Sequence, residues 1–289
     1  FLSWIFTKFL TIVCLYLSIM LVSLITKLFR FYVLSSTHVA LAVLSLSYLT
    51  HFQFDVLLQT DLFAFIFCAT VGTYNFIRYY ASTDIKSSFN TPILVFSLLS
   101  VLGMGLSATK LTSQTLLVAL MLGTMTLTYV LPSNRFFGGL RYLPYLKSFI
   151  VAACWASVVV ILPLLNNKVE FDRVAWLIWL QMALWTFSTM IPFEIRDISN
   201  DSESMKTIPQ VFGVRGAKMI GTIMLFGVVI LSYFLSLQSY DMIPTLIACA
   251  LALVCLWKST IQQSTYYASF WVEALPMAWL LMVVVWEWV

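Results

Sequence analysis

Apolar residues run along this chain in blocks too long for the core of a soluble domain. LTIVCLYLSIMLVSLI, AWLIWLQMALWTFSTMIPF and MIGTIMLFGVVILSYFLSL are typical, and the polar positions fall mainly between such blocks. A helix rises about 1.5 Å per residue, so about 20 apolar residues cross about 30 Å of hydrocarbon. Porin-type strands need short alternating segments instead, so helices are the backbone solution that fits. The pattern predicts ten spans, near 4–28, 34–52, 57–79, 91–107, 112–131, 145–165, 172–194, 213–237, 243–257 and 266–288. The first run has no basic n-region and no small-residue cleavage site, and reads as a retained helix rather than a signal peptide.

Composition sharpens this picture. Apolar residues make up 61% of the chain, against about 45–50% in soluble domains, and the mean hydropathy is +0.96. The five cysteines all fall inside predicted spans without metal-ligand spacing, which reads as packing. A net charge of +4 with no basic run gives no footprint for nucleic acid.

The charges that remain are unevenly placed. Twelve of the 16 Lys and Arg residues fall in or beside the odd-numbered loops, among them Lys27, Arg78, Lys147, Lys206 and Lys258. Lys and Arg concentrate on the cytoplasmic side of membrane proteins. The odd loops are therefore expected in the cytoplasm (of the inner membrane, in a bacterium), with both termini on the opposite side.

Acids cluster too, although topology does not require it. The stretch EIRDISNDSESMKTIP (194–209) packs Glu194, Arg196, Asp197, Asp201, Glu203 and Lys206 into sixteen positions. Continued as a helix, it places Glu194, Asp197 and Asp201 on one face. Carboxylates so arranged repel unless a cation or a basic group sits between them. A hard cation such as Mg²⁺ takes one or two carboxylates and fills its shell with water and phosphate oxygens. With Lys206, Arg215 and Lys218 close in sequence, the stretch suits a phosphorylated substrate at the cytoplasmic surface. The plainer reading, a solvated loop marking the membrane edge, fits the spacing equally well.

RDISND…KTIPQVFG resembles the second aspartate-rich motif of the UbiA superfamily of membrane prenyltransferases, roughly RDxxxDxxxGxxTLPxxxG. Asp197 and Asp201 match its DxxxD pair, and Lys206, Thr207, Pro209 and Gly213 match its later positions, while Met205 stands where Gly is usual. TYVLP at 128–132 followed by Lys147 in YLPYLKS resembles the family's Tyr…Lys region. The resemblance implies an all-α polytopic membrane bundle, with a nine-helix core from residues 30–289 and residues 1–29 as an additional transmembrane helix. Family members ionise an isoprenyl diphosphate held by Mg²⁺ and transfer the prenyl group to an aromatic or other hydrophobic acceptor. Carried onto this chain, Asp197 and Asp201 become the metal ligands, Lys147 and Lys206 catalytic cations, and Tyr129, Glu194, Arg196 and Arg215 substrate contacts.

The first family motif, NDxxDxxxD, should lie at the cytoplasmic end of the third span, where this chain reads YNFIRYYASTD. Asn75 fits the leading Asn, but Phe76, Tyr79 and Thr83 occupy the carboxylate positions, and Asp84 comes one residue late. Two readings compete. In a divergent prenyltransferase, Arg78, with Asn75 and Asp84, grips the diphosphate directly in place of one Mg²⁺. In a protein that has lost the chemistry, the fold binds lipid or serves as a subunit of a membrane complex. A transporter ranks third, because its spans should be broken near the midplane in both halves. Glu273, inside the last apolar run, reads as a carboxylate near the outer interface, and His51 as interfacial.

Overall fold

A computed structural model of the protein describes residues 2–81, 90–130, 146–236 and 242–288. Among the described residues every regular element is helical: α1 (Leu2–Leu34), α2 (Thr37–Phe54), α3 (Thr60–Ala81), α4 (Asn90–Ala108), α5 (Ser113–Val130), α6 (Leu146–Ala156), α7 (Leu162–Asn166), α8 (Arg173–Asp197), α9 (Ile208–Ser236), α10 (Ile243–Lys258) and α11 (Leu275–Glu287). A π-helical turn at Ser157–Ile161 joins α6 to α7 without a break, and another at Tyr267–Val272 leads into α11. Counted as spans, these elements fall on the ten predicted blocks.

Six of the spans are long and apolar enough to cross a membrane, and a seventh is the pair α1/α2, bent by 57°. The chain is thus an integral, multi-pass, all-α membrane protein. The bend falls at Ser35–Ser36, where Ser36 adopts the left-handed backbone (φ 60°), several residues beyond the boundary the apolar pattern predicts. Before the bend, consecutive residues Ile19, Met20, Leu21 and Val22 are all more than half exposed. A helix apolar on every side and touching nothing there is one built to face lipid.

Local chemistry sets several element ends. Asp172 accepts a hydrogen bond from the Ala175 amide at 2.9 Å and starts α8. Pro276 sits in the first turn of α11, where its missing N–H costs nothing. At the start of α9, Gln210 Oε1 accepts from the Thr207 amide at 2.9 Å while its Nε2 donates to the Asp201 carbonyl at 3.0 Å. That side chain pins the 201–207 connection onto the helix it precedes.

The core runs along α8. Trp185 and Trp279, 0% and 1% exposed, meet with ring centroids 4.6 Å apart. Where α8 crosses α9, Gly221 lets the backbones approach: a Cβ there would lie 2.8 Å from Ile191 Cδ1 and 2.9 Å from Leu256 Cδ2. Ser188 Oγ donates to the Gly221 carbonyl across the same crossing at 3.0 Å. Close packing and interhelical hydrogen bonds hold helices together where lipid offers no hydrophobic gain. The result gathers the α1–α2 bend, the ends of α3 and α8, the starts of α6 and α9, and the π turn before α11 at one end of the bundle.

Candidate functional site

Almost every site residue expected from the sequence lies at that end, though in different partnerships. Helix α8 stops at Asp197, and residues 198–200 form a turn. Helical spacing persists through that turn, the Asp201 amide donating to the Asp197 carbonyl at 2.8 Å.

Each carboxylate then finds its own partner. Glu194, 1% exposed, points into the bundle, where Ser148 Oγ donates to it. Asp197 takes both oxygens to its neighbour Arg196, with Nε and Nη2 donating at 2.7 and 2.9 Å. Asp201 forms an ion pair with Lys147, the side chains 6% and 14% exposed. Arg196 has a further donor on Ser269 Oγ at 3.0 Å, and its guanidinium lies 5.3 Å from the Phe193 ring centroid. Lys147 and Asp201 are both within electrostatic reach of Glu194.

The degenerate first motif contributes differently. Asn75, 1% exposed, accepts from Ser36 Oγ and donates to Ser97 Oγ, both at 2.8 Å. Its amide is a three-helix tie. Arg78 donates to the Val33 carbonyl at 3.4 Å and to that of Leu34, placing a cation at the C-terminal, negative end of α1. Lys206 and Arg215 are exposed at the same end, Lys206 with left-handed backbone (φ 45°). Asp84 lies outside the described residues, and so does the Tyr129 side chain.

Glu273 corrects the sequence reading. It follows the π turn before α11 and lies within electrostatic reach of Arg78, Arg196 and Tyr32, so it belongs to the polar end and not to the far interface. The available signal was its position, seven residues into a span that starts on the basic side. His51, in the last turn of α2, is buried, bonds the Ser47 carbonyl at 2.8 Å and packs on Phe63. Ser148, Ser269 and Gln210, which carry no motif, were beyond sequence reasoning.

Below this cluster lies an apolar cavity of about 230 Å³ between α3, α5 and α6, lined among others by Tyr74, Ile77, Thr126, Ile150, Cys154 and Trp155. Trp155 Nε1 donates to Tyr74 Oη at 2.8 Å on its wall. Lys147, Ile150, Val151 and Cys154 follow helical i, i+3, i+4, i+7 spacing on α6. One helix thus carries a cation at the polar end and the cavity lining directly beneath it.

A family profile for the UbiA prenyltransferase family matches residues 86–282, more than half of the chain, and the protein belongs to that family. Comparison with curated protein sequences yielded no match. Among solved structures, the apo form of a UbiA homolog from Aeropyrum pernix K1 is similar in fold, with a TM-score of 0.62 at 16% identity over 86% of this chain and 98% of that one.

The divalent metal that the family implies sits poorly with this donor set. A Mg²⁺ ion wants carboxylate oxygens at close to octahedral geometry. Here Asp197 is held on both oxygens by a guanidinium and Asp201 by an ammonium. Among the described residues no three His, Cys, Asp or Glu side chains gather as a ligand set. The residues present do not fit the metal.

Proposed function

We propose that this protein is a divergent membrane prenyltransferase, transferring an isoprenyl group from its diphosphate to a hydrophobic aromatic or lipid acceptor. The observation that carries the reading is the stacking of a cation-rich cluster directly on an apolar cavity walled by Tyr74 and Trp155. An isoprenyl diphosphate has that two-part chemistry. Its diphosphate would lie against Lys147, Arg78 and Arg196, with Lys206 and Arg215 at the rim, and its chain would enter the cavity.

Chemistry would follow from placement. Leaving of the diphosphate develops negative charge, and fixed cations at a site partly closed to water lower that barrier. The allylic cation left behind needs an electron-rich, dry environment, which aromatic faces supply. The open site face would be cytoplasmic, following the basic loops.

A second reading is favoured by one observation, the consumption of both motif aspartates in ion pairs within the chain. On that reading the fold binds lipid, or serves a larger membrane assembly, without turnover.

Detergent-solubilised protein, incubated with radiolabelled isoprenyl diphosphates and a panel of phenolic, naphthoate and lipid acceptors, separates the two. Prenylated product that disappears in Lys147→Ala supports transfer. Lack of product across the panel, together with lack of binding of a non-hydrolysable analogue, leaves the non-catalytic reading standing. Where the analogue binds, Arg78→Ala is expected to weaken it by about 1.5–3 kcal/mol, as for a lost charge-assisted contact.

A further inference from the structure

Four carboxylates of the polar end, Glu194, Asp197, Asp201 and Glu273, share a feature that the motif pattern conceals: each already lies by a cation or hydroxyl of the chain. Asp197 holds Arg196 through both oxygens, Asp201 holds Lys147, and Glu273 faces Arg78 and Arg196. Glu194 takes the Ser148 hydroxyl, and its Oε2, without a hydrogen-bond partner among the described residues, is sealed from solvent beside Lys147 and the Ile208 amide. That leaves one buried monodentate oxygen, not a metal shell.

Binding a divalent cation here would require breaking a two-pronged guanidinium pair and a buried ammonium pair, and would then leave both basic groups beside the metal. Binding an anion opens the same pairs but gives the basic groups a new acceptor. Phosphate oxygens accept from a guanidinium fork in the same geometry as a carboxylate. A diphosphate can therefore take the place of Asp197, Asp201 and Glu273 as partner to the same three cations, one anion exchanging for another.

We infer that this chain binds the diphosphate group of its substrate without a divalent metal, with Arg78, Arg196 and Lys147 as direct ligands of phosphate oxygens. Asp197, Asp201 and Glu273 are then counterions that hold those cations in place until the anion arrives. This rests on the isoprenyl diphosphate reading and assigns the ligands within it. It also gives a physical reason for the altered first motif: a cation on α3 replaces carboxylates that would have held a metal.

The experiment is calorimetric titration of farnesyl thiolodiphosphate into the full chain in detergent, once with excess EDTA and once with saturating Mg²⁺. Dissociation constants agreeing within about threefold, a difference under one kcal/mol, are expected. Arg78→Gln and Lys147→Gln should each lower affinity about tenfold or more in EDTA, the loss of one charge-assisted contact. Asp197→Asn keeps one oxygen for Arg196 Nε, frees Nη2 and removes the competing charge, so affinity in EDTA should hold or rise. The size-exclusion profile and helical circular dichroism identify variants that have merely unfolded. Binding by the wild type that appears only with Mg²⁺ overturns the metal-free assignment while leaving prenyl diphosphate recognition intact. Loss of binding in folded Asp197→Asn overturns it as well. Absence of binding in both buffers by folded wild type removes the isoprenyl diphosphate reading, and this inference with it.

Discussion

Asn75 illustrates how a motif residue can be conscripted by packing. Both ends of its amide are in use, tying the α1–α2 bend and α4 to α3. Replacing it with Ala strands the buried Ser36 hydroxyl and removes the tie to Ser97, which predicts a loss of about 1–3 kcal/mol, read as a lowered unfolding temperature in detergent. Asn75→Asp should destabilise too, because a carboxylate cannot donate to Ser97. The sequence places Asn75 and Arg78 on one face of α3, since helical spacing is local. It does not name Ser36 as a partner 39 positions away. Nor does it pair Arg196 with its own neighbour Asp197, since adjacent side chains on a helix normally diverge; the pairing arises because α8 ends there. Asp197 and Asp201, the metal pair that the family resemblance implies, are ion-paired with Arg196 and Lys147 in this structure.

Two glycines shape the elements around the site, for different reasons. Gly213 interrupts α9 at φ 70°, ψ 167°, a backbone region open almost only to glycine. Gly213→Ala should cost about 1–3 kcal/mol and shift the short segment carrying Gln210, loosening the 201–207 connection. Its signature would be earlier proteolysis within that connection, with the rest of the bundle intact. Gly221 has ordinary helical backbone, and its constraint is space. Gly221→Val should force α9 away from α8 at Ile191 and from α10 at Leu256, an overpacking cost of about 1–3 kcal/mol seen as a lower unfolding temperature. At this scale the chain is largely legible, because hydrocarbon thickness converts apolar block length directly into a helix. What the blocks do not carry are the irregularities: the π turns, the Gly213 kink and the place of the α1–α2 bend. Each depends on how neighbouring helices meet.

For the whole molecule, the decisive property is which face of the membrane carries the polar end. By sequence, twelve of 16 basic residues fall in or beside the odd-numbered loops, and each would oppose the reverse orientation through the positive-inside bias. The site's own charges are among them: Lys147, Arg196 and Lys206 sit where α6, α8 and α9 start or stop. We therefore expect the connection containing Glu203 and the segment after α10 containing Lys258 to face the cytoplasm, and the connection containing Glu170 to face away. Single cysteines at these three exposed positions, introduced into a background with the native cysteines replaced by Ala or Ser, report this with a membrane-impermeant maleimide. Intact cells should label Glu170→Cys, and inverted vesicles Glu203→Cys and Lys258→Cys. The opposite pattern would put the cation cluster on the outer face and sever it from a cytoplasmic supply of isoprenyl diphosphate. Orientation and substrate are linked here, because the cations that would hold the diphosphate are part of the same charge bias that fixes the bundle in the membrane.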